Sequence, residues 1–158
     1  MFQHTQHHVS ERKEFKRKCA FSHNSPDQQW VILTDVADKY AIPHINPLPK
    51  GWSTLKRLPV TCFGLTNFAL REKELTFMLP IIPHNSNLTI SMLYHHIYRM
   101  LSNPDVKRAP VIHFQADNAY KDAKNQYNLA FCSMLIQVDW FKEIYFSFLH
   151  LSIQMGLR

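Results

Sequence analysis

Short apolar runs separated by polar turns make up most of this chain, and only some segments show a helical period. Apolar or alternating runs bounded by turn residues are typical of β-strands. Five such runs predict strands, at residues 30–34, 58–70, 75–79, 111–116 and 144–149.

Three other segments have the pattern of a helix. Residues 10–21 are highly charged and predict an exposed helix with Ser10 as its N-cap. A second helix is predicted to begin at Ser86 or Asn87, because apolar residues then recur on one face. Residues 123–138 carry the same kind of apolar stripe.

The resulting order is one helix, three strands, and then helices and strands in alternation. This is the element order of the ribonuclease H fold, an α/β fold with a mixed sheet. The sequence predicts such a sheet of about five strands with flanking helices, lacking the final helix. The expected divisions are a charged N-terminal helix and tail at 1–22, a truncated ribonuclease H-like domain at 23–149, and a divergent tail at 150–158.

Composition narrows the classes of function. The net charge of +6 is compatible with nucleic acid or an anionic surface, although a solvated basic helix would explain it equally well. Only three glycines occur, so a glycine-rich phosphate loop is excluded. The three cysteines are far apart and odd in number, which favours a reducing, intracellular location. No apolar run reaches the length of about 18 residues expected of a membrane span.

Two of the predicted strands run directly into an aspartate. Residues 30–34 precede Asp35, and residues 111–116 precede Asp117. Parallel strands would bring both carboxylates to one edge of the sheet, where they could bind Mg²⁺ or Mn²⁺ together with Asp38. The alternatives are a turn at residues 35–38 and a helix cap at Asp117. Nucleic-acid contacts are predicted for Asn118, Lys121, Lys124 and Asn125.

Several short motifs occur in an ordered series along the chain. They are Asp-Val-Ala-Asp-Lys at 35–39, Pro-His at 43–44, His-Asn-Ser-Asn-Leu-Thr at 84–89, His-Phe-Gln-Ala-Asp-Asn at 113–118 and Lys-Asn at 124–125. The series resembles a transposon-derived domain of unknown function (7869-type), a relative of the DDE transposases and integrases with the ribonuclease H fold. The resemblance implies that Asp35 and Asp117 occupy the places of the first two catalytic carboxylates.

Two departures from the family pattern bear on activity. Val36 stands where the family has glycine, and the acidic segment expected after the fifth strand is missing, since residues 144–158 contain no acid. The leading hypothesis is therefore a catalytically inactive domain that retains weak Mg²⁺ or Mn²⁺ and DNA binding, with an intracellular, nuclear location and no membrane partner. The alternatives are an active metal-dependent nuclease or integrase, and a non-catalytic interaction module that self-associates through its last strand, 144–149.

Overall fold

The computed structural model describes residues 2–42, 49–52, 56–83, 85–116, 126–148 and 151–157; for residues 2–8, 37–41, 148 and 151–157 it describes the backbone alone. A single-turn 3-10 helix covers Lys50–Trp52. The other elements are α1 (Phe2–Asn24), β1 (Gln29–Ile42), β2 (Leu58–Asn67), β3 (Glu72–Met78), α2 (Ser86–Ser102), β4 (Val111–Ala116), α3 (Gln126–Gln137), β5 (Glu143–Phe148) and β6 (Leu151–Leu157).

The strands form one mixed sheet in the order β3-β2-β1-β4-β5-β6. The strand β2 is antiparallel to both of its neighbours, β1 and β3, whereas β4 is parallel to both β1 and β5. The parallel register of β1 with β4 runs from the pair Gln29–Val111 to the pair Thr34–Ala116. This topology confirms the predicted α/β class with a ribonuclease H-like mixed sheet.

The two central strands are buried on both faces, which explains their nearly continuous apolar sequences. Trp30, Val31 and Ile32 of β1 are almost fully buried, as are Ile112 and Phe114 of β4. One face of the sheet is covered by α2 and α3. Their apolar stripes complete the core with Leu93, Ile97, Met100, Phe131, Cys132 and Leu135.

The helix α1 contacts the opposite face of the sheet. The Ser22 hydroxyl accepts a hydrogen bond of 3.0 Å from the backbone N–H of Val31. The rings of Phe15 and Phe68 meet edge to face, with their centroids 5.9 Å apart. The two faces of the sheet are therefore covered by different helices.

Some predicted boundaries were wrong. The first helix begins at Phe2, so Ser10 lies inside it and does not cap it. The first strand does not end at Asp35 but continues to Ile42, because this half of β1 is paired with β2. The N-cap of α2 is Asn85 and not Ser86 or Asn87, since the Asn85 side chain accepts a bond from the Leu88 N–H.

The predicted tail 150–158 contains a sixth strand. β6 pairs antiparallel with β5, with Tyr145 opposite Gly156. The sequence of β6 alternates strictly, with apolar residues at Leu151, Ile153, Met155 and Leu157. The edge of β5 that was expected to mediate self-association is therefore occupied by this chain's own strand. No helix in the described part of the chain is long and apolar enough to cross a lipid bilayer.

The cap of α2 can be tested by substitution. We expect Asn85→Ala to lower the free energy of unfolding by about 1 kcal/mol, because the Leu88 N–H loses its side-chain acceptor and keeps only the Asn85 carbonyl. Urea unfolding would measure the change. The matched control is Asn87→Ala, an exposed position in the first turn, for which the change should stay within about 0.5 kcal/mol. Equal losses in the two variants would contradict the assignment.

Candidate functional site

Asp35 follows directly after the last parallel pair of β1 and β4. That pair is Thr34 with Ala116, and on its other side Asp35 is paired with Gly64 of β2. The Asp35 side chain is exposed, and Gly64 contributes no side chain beside it. Among the described residues, the carboxylate is therefore exposed at the point where the parallel pairing ends.

The alternation of side chains along the strands defines which residues share a face with Asp35. Val31 and Leu33 precede it on that face, and they are paired with His113 and Gln115 of β4. This is the face that α1 contacts. Asp35 therefore lies on the opposite side of the sheet from the core built by α2 and α3.

Most of the predicted site residues lie outside the described residues. Asp117, Asn118, Lys121, Lys124 and Asn125 belong to this group.

Asp38 lies in β1, where the pairing with β2 shifts its register between Ala37 and Tyr40. Its backbone is about 10 Å beyond that of Asp35, because an extended strand rises about 3.3 Å per residue. Within the described residues, no group of three or more His, Cys, Asp or Glu side chains is arranged to bind a metal. Of the predicted metal ligands, only Asp35 has a described side chain.

A buried histidine on the same face was not predicted. The ring of His113 stacks on Tyr145, with centroids 4.6 Å apart and planes 12° apart. The Tyr145 hydroxyl in turn donates a 2.7 Å hydrogen bond to Glu143. Among the described residues, the buried Nδ1 of His113 has no hydrogen-bond partner.

Burial sets the protonation state of this histidine. His113 is only 7% exposed, and this desolvation lowers its pKa to about 4. The positive charge of Lys18 acts in the same direction, whereas Glu14 and Glu143 oppose it. His113 is therefore a neutral imidazole at pH 7.

A second polar cluster lies on the other face, between α2 and the β2–β3 hairpin. The buried His96 has its Nδ1 3.1 Å from Glu74 and its Nε2 3.4 Å from Asn67. Arg99 binds both Glu72 and Glu74, at 3.2 and 3.0 Å. Burial lowers the pKa of His96 even though Glu74 raises it. The cluster ties α2 to the edge of the sheet, and its carboxylates already have basic partners.

Comparison with known proteins defines the family. A family model described as a domain of unknown function, DUF7869, matches residues 50–152, which is more than half of the chain. The chain belongs to the DUF7869 family. The matched range of this DUF7869 domain begins after β1, so Asp35 precedes it.

Two solved structures resemble the DUF7869 domain in fold. One is the cryo-EM structure of a simian T-cell lymphotropic virus intasome in complex with the PP2A regulatory subunit B56 gamma, with 16% identity, 81% of this chain covered and a TM-score of 0.47. The other is the crystal structure of the mariner Mos1 paired end complex with Mg, with 10% identity, 76% coverage and a TM-score of 0.38. The domain spans 36% and 39% of those chains, respectively. No curated protein matches the sequence significantly.

The neutral state of His113 predicts a pH dependence of stability. The unfolded imidazole titrates near 6.5 and the folded one near 4, so the unfolded chain binds the proton first as the pH falls. As the pH falls from about 6.5 to about 4, the free energy of unfolding of the wild type should therefore decrease relative to that of His113→Phe. The expected decrease is about 1.4 kcal/mol per pH unit. The phenyl ring keeps the stacking on Tyr145 and has no proton to bind.

Urea unfolding of both proteins between pH 7 and pH 4 measures this difference. The matched control is His95→Gln, which removes an exposed imidazole from α2. The control should follow the wild-type curve. A constant difference between wild type and His113→Phe over this range would contradict the neutral, buried state.

Proposed function

We propose that this DUF7869 domain is a transposon-derived ribonuclease H-like domain that binds a divalent cation and nucleic acid but does not catalyse strand cleavage or strand transfer. The observation that carries the proposal is the parallel register of β1 with β4. It ends with Thr34 beside Ala116, and the next residues in the sequence are Asp35 and Asp117.

The ligands proposed for the cation are the carboxylates of Asp35 and Asp117. Neighbouring strands lie about 4.8 Å apart, and paired residues of parallel strands project to the same face. One further step in the same register would bring the two carboxylates within reach of a single ion. Carboxylate oxygens are the ligands that Mg²⁺ and Mn²⁺ prefer, so the donor set fits a hard divalent cation.

The absence of catalysis is proposed because, in the part of the chain that the structure describes, no further carboxylates are grouped with Asp35 to hold a metal ion. Hydrolysis of a phosphodiester by two metal ions needs ligands for both ions. Glu143 is paired with Val111, so it lies at the other end of the parallel strands from Ala116. That separation is about 17 Å, at about 3.3 Å per residue. The following residues, 144–158, contain no acid.

The proposed nucleic-acid contacts are made by the polar segment after β4. Lys121 and Lys124 would bind phosphates as cations, while Asn118 and Asn125 would donate hydrogen bonds to phosphate oxygens. The net charge of +6 supports an anionic partner, because basic residues increase the rate and strength of such encounters. The expected partner is DNA.

A metal titration tests the proposal. At Mn²⁺ concentrations about ten times the dissociation constant, the free energy of unfolding should rise by about 1.4 kcal/mol, because the ion binds the folded state alone. Asp35→Asn and Asp117→Asn should each abolish the rise. The matched control is Asp105→Asn, an exposed acid in the loop after α2, which should keep it.

Thermal unfolding with millimolar Mn²⁺ or Mg²⁺ provides the measurement. The absence of any shift in the wild type would remove the metal site. Plasmid nicking serves as the second assay, and no Mn²⁺-dependent nicking is expected. Nicking that disappears in Asp117→Asn would instead identify an active nuclease and contradict the inactive state.

A further inference from the structure

A groove of about 370 Å³ lies between the end of α1 and the β2–β3 turn. Its titratable lining residues are Cys19, His23, Arg71 and Lys73, and no carboxylate of the described residues lines it. Burial raises the pKa of the Cys19 thiol to about 11, so the thiol is uncharged at pH 7. The charge of the groove is therefore positive.

The alternation of β3 keeps acidic side chains out of this groove. Glu72 and Glu74 flank Lys73 in the sequence, but they project to the face covered by α2. There, both carboxylates bind Arg99. The neighbouring acids thus do not neutralise Lys73, which projects into the groove from the other face.

The backbone at the turn holds a second cation in the groove. Arg71 has a φ of 57°, a left-handed conformation that costs energy for a residue with a side chain. Its guanidinium contacts both ring nitrogens of His23, with Nε 3.2 Å from Nδ1. The contact with His23 therefore keeps the Arg71 guanidinium in the lining of the groove.

A basic stripe on α1 leads into the groove. Arg12, Lys16 and His23 fall at i, i+4 and i+11, which lie on one flank of a helix with 3.6 residues per turn. Ala20 occupies the same flank and lines the groove. The stripe is about 16 Å long, at about 1.5 Å per residue. Arg12 and Lys16 are exposed.

We infer that this stripe and groove, formed by Arg12, Lys16, His23, Arg71 and Lys73, bind the phosphate backbone of duplex DNA. The length of the stripe is that of about five base-pair steps of a duplex, at about 3.4 Å per step along the duplex axis. Phe68, the aromatic residue that lines the groove, is half-buried and meets the ring of Phe15 edge to face, so it is a poor platform for stacking bases. This favours backbone contacts to a duplex over single-stranded binding.

The inference rests on the nucleic-acid partner of the proposed function but not on the metal site. It assigns phosphate contacts to a surface separate from Lys121 and Lys124. Because backbone contacts carry no base information, the binding should be independent of sequence. It should also persist in EDTA, where no divalent cation is available.

Fluorescence anisotropy with a 20-base-pair duplex in EDTA, between 50 and 200 mM salt, tests the inference. The variant is the triple substitution Arg12→Ser, Lys16→Ser and Arg71→Asn; asparagine is used at position 71 because it tolerates a positive φ. Each lost phosphate contact should reduce the slope of log affinity against log salt by about 0.9, so the triple variant should lose about 2.7. Its affinity at 50 mM salt should fall at least about tenfold.

The matched control removes the same charge from exposed lysines elsewhere, with Lys56→Ser, Lys107→Ser and Lys142→Ser. It should keep the salt slope of the wild type to within about one unit. The double variant Arg12→Ser, Lys16→Ser changes only exposed helix positions, so it reports on the stripe even where Arg71→Asn impairs folding. We expect it to lose about 1.8 units of slope.

Three results would overturn the inference. The first is no DNA binding by the wild type at 50 mM salt, and the second is an equal loss of salt slope and affinity in the triple variant and the control. The third is DNA binding in EDTA that depends on Asp35 or Asp117 and not on the groove. The last result would leave the proposed metal site intact. Conversely, DNA binding that survives Asp35→Asn while Mn²⁺ gives no stability shift would remove the metal site and leave the groove.

Discussion

The parallel pairing of β1 with β4 is the interaction on which the rest of this DUF7869 domain depends. It buries two strands on both faces, so helices must cover the sheet on each side. Trp30 anchors the start of this pairing. Its indole is fully buried against Phe141, with ring centroids 5.7 Å apart, and its Nε1 donates a 2.8 Å hydrogen bond to the carbonyl of Pro26. Because the register is fixed at this end, the position of Asp35 at the other end is fixed as well.

Strand alternation sorts the charged residues of the domain into two classes. On β3, the carboxylates of Glu72 and Glu74 project to the face of α2 and are bound by Arg99 and His96, so they are used for stability. The side chains on the other face, Lys73 and Asp35, have no such partners from α2. A one-residue change of register would exchange the two classes, which is why the antiparallel pairing of β2 and β3 matters for the proposed function as well as for folding.

The parts of the fold that the sequence predicted are those governed by local pattern. A continuous apolar run predicts the strand Val111–Ala116. Apolar residues that recur on one face predict the helix that ends near Ser102. The continuation of β1 beyond Asp35 could not be predicted in this way, because it depends on pairing with a distant hairpin. β6 had a clear alternating signal that was interpreted as a tail. His113 carried no signal, since a histidine within an apolar run has the same sequence pattern whether its ring is buried or solvated.

Of the candidate site, only the position of Asp35 could be predicted from the sequence. Its signal is an apolar run followed by an acid, and the parallel pairing of β1 with β4 does end just before this residue. The groove was not predictable, because it joins α1 to a turn 48 residues later through Arg71 and His23.

The two proposed sites have compatible geometry. Phe68, at the groove, donates its N–H to the Val31 carbonyl at 3.0 Å, and Asp35 lies four residues further along β1 on the same face. That distance is about 13 Å, at about 3.3 Å per residue. Four base-pair steps of a duplex span about the same length, at about 3.4 Å each. A duplex whose backbone is bound in the groove could therefore reach the carboxylate within half a helical turn, so a single DNA segment could contact both sites without any rearrangement of the sheet.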